Sequence, residues 1–458
     1  MTTKEQTVEA TRNVHIISLG CARNLVDSEV MAGLLNKDGY NLTPNADQAD
    51  LIVVNTCGFI ADAKQESIDT ILEAAEYKNP KKGRCQKLVI AGCLAERYPG
   101  ELQKSLPEVD LVLGTAGFSK IIQEVEKLKV SGSGEQKVVI HKERLKDYDL
   151  PRVNSQPFYT AYLKLAEGCA KKCSFCIIPT LRGPLRSRSI SMLTKETQDL
   201  VNTGVTELNL IAQDLTDYGR DRKDGATLAG LLRELVKIEK LKWIRLFYAY
   251  PDQLSDEVIE LIKTEAKICK YLDVPVQHID DEVLKNMNRK TSGDQVRSML
   301  RRLKQEIPEM VLRTSLMVGF PGETDEQFQS LVDFVNEGLL DQVGVFTYSH
   351  EEGTPSGTKF EDTVSAETKE ARRAKLYEAQ QVIVQNKLQN WIGREIEVLV
   401  EGVHDDTELL LKGRHFGQAP GIDNLTMIND GTADVGSYVK VRIDDIAGVD
   451  LVGGIITA

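Results

Sequence analysis

Ten short apolar runs, each followed by a longer stretch of helical pattern, fill the chain up to about residue 390, and then the pattern stops. Strands separated by helices pair in parallel, and strands buried on both faces are continuously apolar rather than alternating. The first four runs are "VHIISL" (14–19), "LIVVNT" (51–56), "KLVIAG" (87–92) and "VDLVLG" (109–114), with helical patterns such as 61–78 between them. They predict an N-terminal doubly wound parallel sheet of the α/β class. Six more runs (158–166, 207–212, 243–250, 271–276, 311–319 and 342–349) alternate with amphipathic patterns such as 256–268 and 294–307. They predict a central partial (βα)-barrel of six units, with its site at the C-terminal ends of the strands. A charged helix at about 366–390 leads out. Beyond it come short β-like runs ("EIEVLVEG", "LLLKGR", "YVKVRI", "LVGGIIT") punctuated by Gly, Asp and Asn. These predict a small all-β barrel. The expected domains are 1–140, 158–390 and 391–458, with the charged stretch 141–157 as a linker.

Composition narrows the setting. The chain has 458 residues, no run of 18 or more apolar residues, and a polar N-terminal stretch, "MTTKEQTVEATRN". A membrane span and a signal segment are not expected, and a cytoplasmic location is. In that compartment the eight cysteines point to metal binding or catalysis more than to disulfides. The net charge of −12 argues against nucleic-acid binding through bulk charge and suits a basic partner.

The stretch "EGCAKKCSFCIIP" (167–179) follows the first strand of the central region and carries Cys169, Cys173 and Cys176. A structural zinc site takes four protein ligands, and a cubane iron–sulfur cluster as a rule takes four thiolates. No fourth Cys or His is near in sequence: Cys269 and His278 lie about a hundred residues on. Three thiolates leave one metal position open, the mark of a catalytic site. The C-x3-C-x2-C spacing resembles the radical S-adenosylmethionine superfamily. That resemblance implies a cluster whose open iron binds S-adenosylmethionine and reductively cleaves it, and puts Phe175 near the adenine.

Three further cysteines each stand just past a predicted strand: Cys21, Cys57 and Cys93. Ends of parallel strands line one edge of a sheet, so the three converge there, either as a shared metal site or as separately packed small hydrophobes. Cys85 and Cys269 read as packing residues. An N-terminal domain with this triplet, a radical S-adenosylmethionine barrel and a small β-barrel resembles the methylthiotransferase family over nearly the whole chain. The resemblance implies two [4Fe-4S] clusters, the second held by Cys21, Cys57 and Cys93 and carrying the sulfur to be inserted. It also implies that the C-terminal module is a TRAM domain of the oligonucleotide-binding kind.

Other residues are candidates for ligand contact. "VGFPGET" (318–324) is a Gly-Pro turn, with Gly319 and Gly322, that lets backbone approach a ligand, and it matches a family segment near S-adenosylmethionine. Gln213 and Asp214 end the second barrel strand and are expected at the same mouth. Arg182, Arg186 and Arg188 in "LRGPLRSRS" could grip a carboxylate of substrate or cofactor, or lie in a solvated loop.

The family has two main branches, one acting on transfer RNA and one, the RimO type, acting on an aspartate β-carbon in the twelfth protein of the small ribosomal subunit. "GCARNLVDSE" (20–29), "RLFYAYPDQL" (245–254), "YLDVPVQHIDDEVLKNMNR" (271–289) and "GQAPGIDNL" (417–425) resemble the second, although Ala22 and Arg23 replace its commoner Pro-Lys. Charge points the same way. From Trp391 onward there are five basic and twelve acidic residues, a balance of −7, with Trp391, Phe416 and Tyr438 the module's aromatics. Single-stranded RNA binding needs a positive groove with stacking rings, whereas an acidic module complements a basic ribosomal protein or the assembled subunit. The resemblance implies that one S-adenosylmethionine methylates the cluster-borne sulfur. A second supplies the radical that removes the aspartate hydrogen, and a protein partner supplies electrons. Two rival readings stand beside this one: the transfer-RNA branch, and a zinc-bearing translation or RNA-binding factor without catalysis.

Overall fold

The computed structural model describes residues 12–130, 136–251 and 253–456. The start of the polar N-terminal stretch and the end of the last β-like run lie outside them. The chain forms two compact units, and short segments around the second cysteine triplet alternate between them: Glu167–Cys169 and Ile177–Arg186 go with residues 1–155, while Ala170–Cys176 goes with 156–166 and 187–458.

The first unit is a six-stranded parallel sheet, with strands β1 (Arg12–Ser18), β2 (Tyr40–Leu42), β3 (Leu51–Thr56), β4 (Lys87–Gly92), β5 (Leu111–Leu113) and β6 (Lys137–Val139). Their spatial order is β2-β1-β3-β4-β5-β6. The chain reverses outward from β1 and β3, as in doubly wound sheets, so a crevice opens at the C-terminal ends near that switch. β3 is buried at every position, which is why it reads as an unbroken apolar run. The sequence reading missed β2 and β6, three-residue edge strands too short to show a pattern. Helix α1 (Ala22–Lys37) packs on β1, and Met31 and Leu35 are fully buried with Val53 and Val89.

The second unit contains a six-stranded parallel sheet and a closed barrel. Strands Thr160–Lys164, Glu207–Ile211, Trp243–Leu246, Ile268–Asp273, Val311–Val318 and Gln342–Thr347 pair strictly in chain order. The fourth begins three residues earlier than the sequence reading had it. The C-terminal barrel has five strands, Glu395–His404, Thr407–His415, Thr426–Asp430, Tyr438–Ala447 and Asp450–Ile455, of which the third had not been expected.

The barrel is locked to the parallel sheet by buried ions. Arg414 forms a fork on Glu207, at 2.9 and 2.7 Å, and also reaches Glu401 at 2.8 Å. Arg245 reaches the same Glu207 at 3.2 Å and the Phe416 carbonyl at 2.5 Å. Glu207, Arg245 and Arg414 are wholly buried. Asp423 accepts from the Tyr271 hydroxyl at 2.9 Å and meets Arg313 at 3.4 Å, while Trp243 and Tyr438 pack edge to face. A buried carboxylate is tolerable only when paired and fully hydrogen-bonded, and Glu207 also accepts from Thr160 at 2.9 Å.

Candidate active site in two cysteine triplets

β1, β3 and β4 are neighbours in the first sheet, and each delivers one cysteine at its C-terminal end. Cys21 precedes α1, Cys57 follows Thr56, and Cys93 opens the short helix Cys93–Arg97. Gly20 (φ +82) is so close to Cys57 that a Cβ on it would lie 2.9 Å from the sulfur. Gly92 turns the chain at φ +94, and a Cβ there would strike the Asn55 side chain and stand 2.6 Å from the Thr56 carbonyl. Close backbone passage therefore brings the three thiols to one crevice. Gly92→Ala is expected to lower stability by about 2 kcal/mol, which urea unfolding checks.

The electrostatics suit thiolates that must be partly sheltered. Burial pushes the Cys57 thiol up to about 11, with the nearby Cys93 and Cys21 adding to the rise. Burial also raises Cys93, against the opposing charge of Arg182. At Cys21 burial acts upward as well, but Arg23, Arg182 and the backbone N–H groups of Asn24 and Arg23 bring the thiol below its ordinary value. Among the described residues no three His, Cys, Asp or Glu side chains are placed to hold a single metal ion. A cubane cluster takes each thiolate on a separate iron.

The second triplet follows the strand Thr160–Lys164. In the first unit, the Cys169 N–H donates to the Gly183 carbonyl at 3.2 Å. In the second unit, the segment bearing Cys173 and Cys176 is pinned by Ser174, which donates from its N–H to the Met287 carbonyl (2.9 Å) and from its hydroxyl to Asn286 (2.8 Å). Asn288, at φ +54, donates to the Lys172 carbonyl at 2.5 Å. Phe175 packs beside Phe320, Tyr348 and Met287, which ties the aromatic before the third cysteine to the "VGFPGET" turn.

Gly319 (φ +71) and Gly322 (φ +82) both adopt the left-handed region that favours glycine. Glu323 holds that turn: its carboxylate accepts from the Gly319 N–H, meets Arg372 at 3.0 Å and faces His278 at 3.3 Å. A capping box, Thr324 with Gln327, then starts the next helix. Gln213 and Asp214 stand just past the strand Glu207–Ile211. Burial raises the Asp214 carboxyl, against the opposing pull of Lys171 at 3.2 Å and of Thr216. Tyr248 (φ +61) and Gln277 (φ +72), beyond the ends of the third and fourth strands, are non-glycine residues in a strained conformation of the kind that collects at functional sites.

The three arginines part company. Arg182 is buried and meets Asp27 at 2.8 Å and both Glu167 oxygens at 3.1 Å. Arg188 is buried against Glu196 at 2.6 Å. Arg186 is half-buried and donates to the carbonyls of Pro184 (2.6 Å) and Arg182 (2.9 Å). Sequence reasoning missed Lys171, which meets Asp214, Asp217 (3.1 Å) and the Tyr250 ring (4.6 Å). Its place inside the cysteine loop was the available signal. It also missed Glu323, because glycines drew attention to that turn.

Three family models match the chain: an uncharacterized protein family, UPF0004, over residues 13–114; the radical SAM superfamily over 163–335; and the TRAM domain over 392–456. Among curated relatives, the ribosomal protein uS12 methylthiotransferase RimO of Syntrophotalea carbinolica is 52% identical over 453 residues, covering 99% of both chains. The protein of the same name from Geobacter sulfurreducens is 49% identical over 448 residues, covering 98% of this chain and 99% of its own. Among solved structures, the radical S-adenosylmethionine methyltransferase TsrM of Kitasatospora setae, with cobalamin and a [4Fe-4S] cluster bound, aligns at a TM-score of 0.56 and 16% identity over 76% of this chain and 77% of its own. That likeness is one of fold.

Proposed function

The chain belongs to the family of RimO-type ribosomal protein uS12 methylthiotransferases, and from that membership we propose how its own residues divide the work. It is a radical S-adenosylmethionine enzyme, and its reaction is attachment of a methylthio group to the β-carbon of an aspartate in uS12, the twelfth small-subunit ribosomal protein. Membership in the radical S-adenosylmethionine superfamily implies a [4Fe-4S] cluster and S-adenosylmethionine.

In this reading there are two clusters. Cys169, Cys173 and Cys176 hold the one that meets S-adenosylmethionine, and Cys21, Cys57 and Cys93 hold the other. When bound, the first supplies the electron that cleaves S-adenosylmethionine and the second carries the sulfur that is transferred. The donor sets fit, since each offers three thiols and so leaves one iron open. Phe175, with the Phe320 cluster behind it, presents an aromatic face for the adenine. Gly319, Gly322 and Gln213 offer backbone and amide groups to the rest of S-adenosylmethionine. Glu323 holds the turn that presents the two glycines. Of the three arginines, Arg186 is assigned to the substrate, because Arg182 and Arg188 are buried against carboxylates. Residues 1–140 form the auxiliary-cluster domain, 141–157 the linker, 158–390 the radical domain and 391–458 the TRAM-like barrel.

The observation that carries this reading is the delivery of Cys21, Cys57 and Cys93 by three adjacent strands in a chain that also has C-x3-C-x2-C. Two further observations support a protein substrate over RNA. Arg414, one of five basic residues in the C-terminal barrel, is buried on Glu207, so it is not available to a nucleic-acid backbone. Its aromatics are committed to protein contacts: Trp391 lies 4.4 Å from His415, Phe416 also packs on His415, and Tyr438 packs on Trp243. An electron-donor protein is the further partner. No helix among the described residues is long and apolar enough to cross a membrane, which together with a ribosomal substrate supports action in the cytoplasm.

The test is a competition under anaerobic conditions. Reconstituted protein receives S-adenosylmethionine, a reductant, sulfide, a peptide spanning the substrate loop of uS12, and transfer RNA in one tube. Mass spectrometry is expected to find the methylthio group on the peptide's aspartate; a gain on RNA alone would overturn the assignment.

A further inference from the structure

One buried guanidinium stands in the frame of the N-terminal cysteine triplet. Arg182 comes six residues after Cys176 in sequence and is 2% exposed. Its Nη1 donates to Asp27 of α1 and to Glu167, two residues before Cys169. Its Nη2 donates to the side-chain oxygen of Asn24 at 3.1 Å, and its charge opposes the effect of burial on the Cys93 thiol.

Asn24 is what makes this contact consequential. It is itself buried, and its amide nitrogen donates to the carbonyls of Leu19 (2.8 Å), Asn55 (3.1 Å) and Thr56 (3.3 Å). Leu19 lies two residues before Cys21, and Thr56 immediately precedes Cys57. Asn55 returns a bond from its own amide to the Asn24 carbonyl at 2.8 Å. The amide of Asn24 thus stitches two cysteine-bearing strand ends, and its oxygen is held by Arg182, whose charge also acts on the third cysteine. A fixed cation in a water-poor crevice acts strongly on charge developing beside it. Hydrogen bonds to the sulfurs and net charge are among the terms that set a cluster's reduction potential.

We propose that Arg182 is the positioning residue of the N-terminal triplet, and that its buried charge, hydrogen-bonded to Asn24 beside the cysteine-bearing strand ends, raises the reduction potential of the iron–sulfur group held there. This rests on the reading that Cys21, Cys57 and Cys93 hold such a group. Added electron density on the cluster is stabilised by the guanidinium, so removing the charge makes the cluster harder to reduce. The neighbouring carboxylates Asp27 and Glu167 offset part of the charge and fix its location.

The test uses the full chain carrying Cys169→Ala, Cys173→Ala and Cys176→Ala, which leaves the N-terminal triplet as the sole cluster site. Iron analysis of this parent comes first: if it binds no cluster, the underlying reading fails, independently of Arg182. With a cluster present, its midpoint is measured by electron-paramagnetic-resonance redox titration in the parent and in Arg182→Gln and Arg182→Lys. The expected result is a lower potential in Arg182→Gln and recovery toward the parent in Arg182→Lys, which keeps the charge but loses the fork. An unchanged potential in Arg182→Gln, or an equal shift in both variants, overturns the proposal. Should Arg182→Gln alone fail to fold because Asp27 is stranded, the pair Arg182→Gln with Asp27→Asn removes both charges, and its potential is compared with that of Asp27→Asn alone; no difference between them overturns the proposal equally.

Discussion

Cys93→Ala protein, reconstituted anaerobically, is expected to bind about four irons where the unaltered chain binds about eight, to cleave S-adenosylmethionine still, and to attach no methylthio group. Cys93 is one of three thiols at the first sheet's edge and is 6% exposed, so no solvent-borne ligand replaces it readily. Losing an outer partner of a metal ligand typically costs 10- to 100-fold in metal affinity or activity; losing the ligand itself should exceed about 100-fold. Cys21→Ala and Cys57→Ala should behave alike. Cys173→Ala should instead abolish cleavage of S-adenosylmethionine while leaving the other four irons. Iron and sulfide analysis, 5′-deoxyadenosine release and peptide mass spectrometry separate these outcomes. Normal methylthiolation by Cys93→Ala would remove the auxiliary cluster from the account.

Arg414→Met should destabilise the second unit by about 3–5 kcal/mol, the usual cost of removing one partner from a buried ion pair. Glu207 would keep Arg245 and Thr160 but lose its two-pronged partner. Urea unfolding followed through Trp243, which packs on the barrel's Tyr438, reports the loss. The same network fixes how stability depends on pH. Burial pushes the Glu207 carboxyl up, but Arg414 and Arg245 prevail and hold it at about 2. Its folded value lies below its unfolded one near 4.5, so its contribution is complete above about pH 5 and is lost as pH falls through 4.5 toward 2, on the order of 3 kcal/mol. His415 acts earlier. Burial, with Arg245 and Arg414 beside it, lowers it to about 3, and its Nδ1 accepts from the Gly417 N–H at 3.0 Å. The unfolded chain takes up that proton near pH 6.5, so stability begins to fall there. Acid unfolding should therefore start near pH 6.5 and steepen below about 4.5, and Arg414→Met should flatten the lower limb. An Arg414→Met protein with unaltered urea midpoint and acid limb would show that the ion network is incidental.

Much of the candidate site's layout was legible in the residues. Cys21, Cys57 and Cys93 each follow a continuous apolar run, and the ends of parallel strands share an edge wherever their order makes them neighbours. The order β1-β3-β4 does so. Gly20 and Gly92, beside two of those cysteines, are where backbones pass too closely for a side chain. The C-x3-C-x2-C loop announced itself by spacing. Short edge strands such as Tyr40–Leu42 and Lys137–Val139 did not, because three residues carry no period and their pairing comes from a neighbouring strand.

By itself, then, the sequence determined the two parallel sheets, the β module that follows them and the six candidate ligand cysteines, because burial on both faces of a strand and ligand spacing are local properties written in consecutive residues. Only the tertiary structure decided the partners of the buried charges. Arg182 looked like a solvated or substrate-gripping loop residue and is instead packed against Asp27, 155 positions away. Arg414 counted as surface charge and is buried on Glu207, 207 positions away. A charged side chain reads as exposed in any window of sequence. Whether it is buried depends on an opposite charge delivered by a distant segment, and that pairing exists only once the chain has folded.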